Sequence, residues 1–375
     1  MSVALAAAVR IGEQLARDAL WFEDRCNWIS GDARPPTERG EMVFGTLGPA
    51  IYDGLAGMAW FFGHLYAATK MSRFCQVARG AMRQALIAAR AQPRSLALSL
   101  YRGALGAAVV AIDLSQRIDD DAARADALQL LRQIRGSRLS ASDLLSGIAG
   151  SIVGLLIAGD RELAMAMGDR LTRRASRPKL TGFSHGASGI AYALLELFAA
   201  TGDTRFRRAA ERAFDDANRR RARSAYATDW CHGAPGMALP RLRAWEITGD
   251  ERFAAEAQAA IAFTRRAVFR SIERGDDGGC LCHGLAGNAA ILHEASPGDS
   301  VLVQSVARRL RGADSTRVTL FLGSAGIGYL NLRLNDARLP SILMPRPEEF
   351  ARSRRAAAGP ESAAAAGSAR KPDRR

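Results

Sequence analysis

Three short segments of the sequence place thiols and imidazoles directly before a Gly-x-x-Gly motif. Residues 280–287 read Cys-Leu-Cys-His-Gly-Leu-Ala-Gly, and residues 230–236 read Trp-Cys-His-Gly-Ala-Pro-Gly. Residues 184–189, Ser-His-Gly-Ala-Ser-Gly, keep the imidazole and lack the thiol. Three of the five His and three of the five Cys of the chain lie in these segments. This clustering indicates a shared chemical site.

Thiolates and imidazoles are the ligands that Zn²⁺ prefers, and catalytic zinc sites leave one of four positions open. Cys231, Cys282 and His283 would supply three ligands, with water or a substrate thiolate in the fourth position. These residues therefore predict one Zn²⁺ per chain. Cys280 is either a fourth ligand, which would make the site structural, or a neighbour of the ligands. His232 and His185 are further possible donors, but two such imidazoles would overfill the site.

The other Cys and His residues lie outside these motif segments and stand alone in the sequence. Isolated Cys residues usually act as small buried hydrophobes, and isolated His residues usually belong to a hydrogen-bonded core. We therefore interpret Cys26, Cys75, His64 and His293 as core residues.

The Gly-x-x-Gly motif belongs to a repeat that extends over most of the chain. It occurs seven times, and its successive first glycines are 39 to 51 residues apart. A period of this size indicates a repeat architecture. The first glycines are Gly54, Gly103, Gly147, Gly186, Gly233, Gly284 and Gly323.

Each repeat predicts two helices of different character. The first is almost wholly apolar, as in residues 189–200, which is typical of a helix buried on all sides. The second is amphipathic, as in residues 203–219 and 250–269. The link between them is Thr-Gly-Asp at 201–203 and again at 248–250, where Gly ends one helix and Asp caps the next. The fold predicted is an all-α α/α toroid of seven inner and seven outer helices, although an open α-solenoid also satisfies the pattern.

Three regions follow from the periodicity. Residues 1–48 are predicted to form an N-terminal helix and loop, with helical apolar spacing over 11–22. Residues 45–347 are predicted to form the toroid. Residues 351–375 lack periodicity and carry mostly basic charges, which predicts a disordered basic tail.

Closure of the ring would place all seven glycine turns at one end of the inner barrel. Asp143 of the third repeat and His185 of the fourth would then converge with the thiols and imidazoles of the fifth and sixth. The four repeats without Cys or His before their glycines show that the glycines serve the fold. The Cys and His side chains in the other turns are therefore not needed for the turn itself.

Composition limits the possible environments and partners. The net charge of +14 is compatible with an acidic partner or with Arg-rich solvated helix faces. No basic run is interleaved with aromatic residues, so no nucleic-acid partner is expected. No segment reaches 18 uninterrupted apolar residues and no secretory signal is evident, so no transmembrane segment is expected. The odd number of Cys residues favours reduced thiols in the cytoplasm.

At these motifs the sequence resembles the lanthionine synthetase C-like family, the cyclases that form thioether rings in lanthipeptides. The resemblance covers about residues 45–335, and the Trp-Cys-His-Gly-Ala-Pro-Gly segment is most similar to the cyclase portion of class II lanthipeptide synthetases. The chain has no room for their large dehydratase portion. The resemblance therefore implies a dehydrated precursor peptide as substrate and a separate dehydratase as partner.

The resemblance also implies a double ring of helices in which Cys231, Cys282 and His283 hold Zn²⁺. Its chemistry is a Michael-type addition of a peptide Cys thiol to dehydroalanine or dehydrobutyrine. Zn²⁺ would present the thiol as a thiolate, and the resulting enolate needs a proton at its α-carbon. His185 is the expected general acid.

Two other residues receive roles through the resemblance. Asp143 aligns with the site aspartate of the family, where it would orient His185 or accept the thiol proton. Its alternative role is that of a helix N-cap. His232 stands where some members have Tyr, and we expect it to act by contact with the site residues.

One departure from the family concerns an Arg that often precedes the Trp-Cys motif by three residues. That position is Ala227 here, and Arg223 and Arg241 are the nearby candidates for a substitute. Two alternative functions stay open. One is a non-catalytic, zinc-containing protein that binds thiols or glutathione or acts as a scaffold. The other is a toroidal glycosidase, whose paired carboxylates would have to be Asp53 and Asp143.

Overall fold

The computed structural model describes residues 1–31, 43–173, 180–220, 227–275, 278–310 and 316–355. Almost all of its regular structure is helical. The helices are α1 (Val3–Arg17), α2 (Leu55–Thr69), α3 (Ser72–Arg90), α4 (Ala104–Ile118), α5 (Asp121–Ile134), α6 (Ile148–Ala158), α7 (Arg161–Arg173), α8 (Ala187–Thr201), α9 (Thr204–Arg220), α10 (Ala234–Thr248), α11 (Glu251–Arg274), α12 (Leu285–Ala295), α13 (Ser300–Arg309) and α14 (Ser324–Asn335), with a short 3₁₀ helix at Pro297–Asp299. Residues 347–355 are also helical.

The helices form two concentric rings. Each even-numbered helix from α2 to α14 contacts the next even-numbered helix, and α14 contacts α2, which closes the inner ring. Each inner helix from α2 to α12 packs against the helix that follows it in the sequence, whereas α14 packs against α1. The described residues thus contain seven inner and seven outer helices. The predicted α/α toroid is confirmed, and the open solenoid is excluded.

The sequence explains why the rings separate. The inner helices are mostly apolar, and nine of the 11 residues of α6 and eight of the 11 residues of α12 are buried. The outer helices bury one face only. The predicted Thr-Gly-Asp links are confirmed by Gly202 and Gly249, which end α8 and α10 with φ of 75° and 69°. No helix among the described ranges combines the length and apolarity needed to cross a bilayer.

Close backbone contacts explain the second glycine of each motif. In all seven turns a Cβ atom at this position would overlap the carbonyl oxygen of the residue six positions earlier. In the second repeat, for example, a side chain at Gly106 would strike the carbonyl of Leu100. The glycines therefore allow each inner helix to start directly against its preceding loop.

Replacement of Gly106 by alanine is expected to destabilise the protein by about 2 kcal/mol or more, because backbone atoms must move to admit the methyl group. Urea unfolding of the full chain measures the change. Gly136→Ala is the matched control, since nothing lies within 4 Å of a Cβ atom there. An equal and small effect of both substitutions would contradict this explanation of the motif.

Hydrogen bonds join the seven turns into a closed circle, which we call the turn ring. Each turn donates to the next, and every acceptor is the carbonyl of the residue two positions before a first glycine. The bonds are 2.8–3.1 Å long. In order they are Tyr52 N to Tyr101, Ser99 Oγ to Leu145, Leu145 N to Ser184, Ser184 N to Cys231, Trp230 N to Cys282, Cys282 N to Phe321, and Phe321 N to Tyr52.

A segment after the last inner helix fills the interior of the barrel. We call residues 340–345 the plug. Its side chains from Ser341 to Met344 are at most 3% exposed. Four of its carbonyls accept hydrogen bonds from side chains of the turns and inner helices: Pro340 from Tyr329, Ile342 from Tyr101, Leu343 from Trp230, and Pro345 from Tyr192, at 2.7–3.1 Å. The plug thus connects the barrel wall to the turns from the inside.

The N-terminal segment contains a helix, as predicted, but this helix does not continue over the predicted apolar spacing as far as Phe22. Helix α1 ends at Arg17, and the apolar residues after it form strand β1 (Leu20–Phe22), which pairs with β2 (Arg25–Asn27). The apolar spacing predicted a helix because a short apolar run fits either period. A second ladder joins β3 (Ile29–Ser30) to β4 (Gly45–Thr46), and residues 32–42 of the predicted loop lie outside the described residues.

The first five residues of the predicted tail, 351–355, are helical. Residues 351–355 continue the helix that begins at 347, so the prediction of disorder is wrong for them. Arg354 donates to the carbonyl of Ile157 at 3.2 Å, and Arg117 binds the hydroxyl of Ser353. These contacts hold the segment against two inner helices. Residues 356–375 lie outside the described residues.

Candidate active site

Two thiols meet within the turn ring. Cys231 and Cys282 occupy the same position in neighbouring turns, two residues before the first glycine, and their thiols lie close enough to interact. Cys282 is only 3% exposed. The hydroxyl of Tyr52, which occupies this position in the first turn, donates to Cys282 Sγ at 2.9 Å. The two predicted thiol ligands are therefore adjacent, and a phenol touches one of them.

The surroundings keep these groups protonated in the absence of a cation. The pKa of the Cys282 thiol is raised, first by its interaction with Cys231 and then by burial. Burial also raises the pKa of Tyr52. A bound cation would reverse this balance, because it favours the deprotonated thiol.

The imidazoles lie on the residue directly before the first glycine. His185 and His232 stack with ring centroids 5.7 Å apart and an angle of 24° between the rings. His185 Nδ1 lies 3.4 Å from Asp143 Oδ2, and about a third of the His185 side chain is exposed. An accessible Asp143–His185–His232 row thus crosses the third, fourth and fifth turns beside the thiols.

Asp143 combines the two roles that the sequence leaves open. Its Oδ1 accepts a hydrogen bond of 2.7 Å from the Ser146 backbone N–H, which stabilises the turn before α6. Its Oδ2 faces His185. Turn stabilisation and orientation of an imidazole are therefore compatible, because the carboxylate uses a different oxygen for each.

Cys280 takes the position that Asp143 takes in its own turn, four residues before the first glycine. In four turns the side chain at this position accepts from the backbone N–H three residues later. The pairs are Ser99 with Arg102 at 3.2 Å, Asp143 with Ser146 at 2.7 Å, Asp229 with His232 at 2.6 Å, and Cys280 with His283 at 3.4 Å. The Cys280 sulfur is thus directed to its own turn, which favours the neighbour interpretation over that of a fourth ligand.

Cys231, Cys282 and His283 are of the residue types that bind zinc, but only the two thiols lie close together. Cys231 and Cys282 lie in contact, whereas the His283 side chain is exposed. Within the described residues no three Cys, His, Asp or Glu side chains are gathered as a preformed metal cluster. Two thiols in contact and an imidazole on the adjoining residue suit Zn²⁺. Completion of the set requires the His283 imidazole to turn towards the sulfurs.

Arg241 does not take the place of the arginine that family members often carry three residues before the Trp-Cys motif. It is 2% exposed, donates to Glu256 at 2.7 Å and to Asn218 at 2.8 Å, and thereby joins α9, α10 and α11. That interpretation is wrong because Arg241 follows two turns into α10, away from the glycine turn. Arg223 lies outside the described residues.

Sequence reasoning missed two residues that contact the site, Tyr52 and Asp229. Asp229 accepts from the His232 backbone N–H at 2.6 Å and lies 3.5 Å from Cys231 Sγ. An alignment of the seven turns on their first glycines would have identified both. In that alignment Tyr52 shares a column with Cys231, and Asp229 shares one with Asp143.

A toroid whose turns carry paired thiols beside a carboxylate–imidazole row defines the class of protein. The sequence matches the family described as lanthionine synthetase C-like protein over residues 45–298, more than half of the chain. The chain belongs to this family.

The fold also has a counterpart among solved structures. That of nisin cyclase aligns with a TM-score of 0.60 and 15% sequence identity, over 81% of this chain and 92% of that chain. Identity at this level shows a shared fold. No curated protein matches the sequence.

Proposed function

We propose that this protein is a zinc-dependent lanthipeptide cyclase that adds peptide Cys thiols to dehydroalanine or dehydrobutyrine. The observation that carries the proposal is the contact of Cys231 with Cys282 next to the His185–Asp143 pair. Family membership and the fold shared with a protein named nisin cyclase support it.

Cys231, Cys282 and His283 are the residues that would hold one Zn²⁺ per chain. When bound there, the ion would lower the pKa of a substrate thiol so that the sulfur reacts as a thiolate. The free thiols of all five Cys residues agree with a site that needs reduced sulfur, and a cytoplasmic location stays a prediction.

His185 is the proposed proton donor. The substrate thiol first transfers its proton to the neutral His185 imidazole beside Asp143. The thiolate sulfur then forms a bond to the β-carbon of the dehydro residue, and the electron pair of the C=C bond moves to the α-carbon as an enolate. The His185 imidazolium then transfers its proton to that α-carbon, and the thioether is complete. Asp143 at 3.4 Å stabilises the imidazolium and fixes the ring. His232 stacks on the same ring and limits its rotation.

The substrate of this reaction is a dehydrated precursor peptide. A separate dehydratase is the proposed source of its dehydro residues, because the thiol addition consumes an alkene that has to be formed first by loss of water from Ser or Thr. A glycosidase reaction is less well supported, because its two candidate carboxylates have separate partners. Asp53 pairs with Arg102 at 3.3 Å, and Asp143 contacts His185.

The direct test uses the zinc-supplemented full chain and a synthetic peptide with one dehydroalanine and one Cys. Cyclisation leaves the peptide mass unchanged but removes the free thiol, so mass spectrometry after N-ethylmaleimide treatment counts the uncyclised fraction. Faster loss of reactive thiol than in the peptide alone supports the cyclase. Equal rates with and without the protein, together with saturable glutathione binding, would instead support a non-catalytic thiol-binding protein.

Tyr52→Phe is expected to weaken zinc binding by about tenfold or more, because a hydroxyl that donates to a ligand sulfur stabilises its thiolate form. The 2.9 Å contact with Cys282 motivates this prediction. Competition with a chelator measures the affinity. Tyr66→Phe, on the same helical repeat but in the last turn of α2, is the control. Unchanged affinity in Tyr52→Phe would show that the phenol serves packing alone.

A further inference from the structure

One position of the turn repeat faces solvent all the way round the turn ring. The residue directly before the first glycine is partly or fully exposed in all seven turns, whereas the residue before that one is buried in five of them. Because the turns form a closed circle, this exposed position surrounds the opening of the barrel. We call these seven residues the rim: Asp53, Arg102, Ser146, His185, His232, His283 and Leu322. Three neighbouring rim positions carry the imidazoles of the candidate active site, and the other four have no role in the proposed reaction.

An ion pair lies across the opening from the imidazoles. Arg102 Nη2 is 3.3 Å from Asp53 Oδ2, which joins the first turn to the second. In a closed ring of seven turns, the point between the first and second turns is opposite the fifth, which carries Cys231 and His232. Arg102 is also the only Arg or Lys on the rim. The rim therefore has a permanent cation on one side and the thiols and imidazoles on the other.

Side chains below the rim show how near these two sides are. Tyr52 precedes Asp53, and its hydroxyl reaches across to Cys282 Sγ at 2.9 Å. The ring of Tyr101, from the second turn, packs edge-on against Trp230 of the fifth, with 5.8 Å between the ring centroids. About one aromatic side chain therefore separates the ion pair from the thiols. A distance of roughly 10 Å is spanned by about three residues of an extended peptide.

Arg102 has more donors than Asp53 uses. A guanidinium carries five N–H groups in a planar fork, and only Nη2 contacts Asp53. The Arg102 side chain is 46% exposed, and it makes no other hydrogen bond or ion pair with the described part of the chain. The guanidinium can therefore bind a second carboxylate through two parallel hydrogen bonds while it keeps its contact with Asp53.

The ion pair contributes little to the fold. The first two turns are already joined by the backbone N–H groups of Ile51 and Tyr52, which both donate to the Tyr101 carbonyl at 3.0 Å. An ion pair with a half-exposed partner adds little stability. Burial raises the pKa of Asp53, although the charge of Arg102 opposes this shift. A role in binding therefore explains the arginine on the rim better than a role in stability.

We propose that Arg102 binds a carboxylate of the substrate peptide at a position about three residues from the Cys that reacts. The inference rests on the proposed cyclase function and adds a determinant of substrate specificity. With its reacting Cys beside Cys231 and Cys282, an extended peptide would cross the opening and bring its carboxylate against the unused edge of the guanidinium. Asp53 would hold Arg102 over the opening and limit the affinity by its own negative charge. The carboxylate is that of an Asp or Glu side chain or that of the peptide C-terminus.

Fluorescence anisotropy of labelled peptides with the zinc-supplemented full chain tests this proposal. Each peptide carries one Cys, and an alanine replaces dehydroalanine so that no reaction interferes with binding. Glu and Gln are compared three residues after the Cys, and three residues before it in a second pair, all with amidated C-termini. A third pair ends three residues after the Cys, as free acid and as amide. In at least one pair the carboxylate is expected to tighten binding about fivefold, the effect of one partly exposed charge contact, and that pair identifies its source.

Two substitutions separate binding from a structural role. Arg102→Met is expected to reduce the fivefold ratio to about one. Asp53→Asn is expected to keep or increase it, because the amide removes the competing negative charge. Both variants break the same ion pair, so a merely structural role would give them the same effect, and that outcome would overturn the proposal. Arg308→Met removes an exposed charge on α13 and is the matched control, which is expected to keep the wild-type ratio.

The N-ethylmaleimide assay with the corresponding dehydroalanine peptides separates this inference from the proposed function. Cyclisation of both members of every pair, with equal binding within each pair, would overturn the carboxylate contact and leave the cyclase intact. A carboxylate preference in binding without cyclisation would support the contact and contradict the cyclase. Dissociation constants above about 1 mM for all six peptides would overturn the contact, because its contribution would then be too weak to select a substrate.

Discussion

The zinc content of the Cys282→Ala variant is expected to fall from about one ion per chain to nearly none. Cys282 is 3% exposed and contacts Cys231, so its loss removes a central donor and leaves a single thiol beside an exposed imidazole. A structural or catalytic zinc site does not tolerate loss of one of three protein ligands without a large loss of affinity. Elemental analysis of protein purified without chelators measures the ratio.

Cys280→Ser is the matched control for this experiment. A serine hydroxyl can still accept from the His283 backbone N–H, as Ser99 does from Arg102 in the second turn. The variant is therefore expected to keep its zinc. Loss of the ion in Cys280→Ser would make Cys280 a ligand, and a wild-type protein without zinc would contradict the proposed metal site.

His185→Ala is expected to slow cyclisation by about 10²–10⁴-fold, the usual contribution of a positioned general acid. Zinc content should not change, because His185 contacts Asp143 and His232 and neither proposed thiol ligand is among its described contacts. The N-ethylmaleimide assay measures the rate, and elemental analysis of the same sample measures the metal. The combination separates a lost proton donor from a lost metal site.

Asp143→Asn refines this result. The amide oxygen can still accept from Ser146, so the turn is kept, while the negative charge facing His185 is lost. We expect a loss of about tenfold, in the range found for residues that orient a reacting group. A His185→Ala variant that cyclises at the wild-type rate would contradict the assignment of the proton donor.

Much of the fold follows from the sequence because its signals are local and repeated. Seven glycine pairs and the alternation of apolar with amphipathic helices predict the two rings. The partner of α1 could not be predicted in this way. Its packing against α14 joins residues more than 300 positions apart, as in the 2.6 Å hydrogen bond from Ser2 to Asn335. No local pattern encodes that contact.

The candidate site was predictable in its residue types and less so in its geometry. The motifs identify Cys231, Cys282 and His185, and the structure brings these segments to one end of the barrel. Tyr52 has no Cys or His beside it in its own turn, so its signal emerges only when the seven turns are aligned on their first glycines, where it shares a column with Cys231. The plug at 340–345 was missed because six residues are too few to show a period.

Ring closure at the chain ends has a consequence for synthesis. Helix α1 is synthesised before its partner α14, which begins about 300 residues later and therefore follows after roughly 15–60 s at common elongation rates. Helices α2 and α3 also contact α1, but the face of α1 that α14 covers stays open until α14 is made. The plug is made later still, although Trp230 beside Cys231 depends on it for a hydrogen bond. The nascent chain therefore leaves part of the surface of α1 uncovered and the turn ring open until its last repeat has been synthesised.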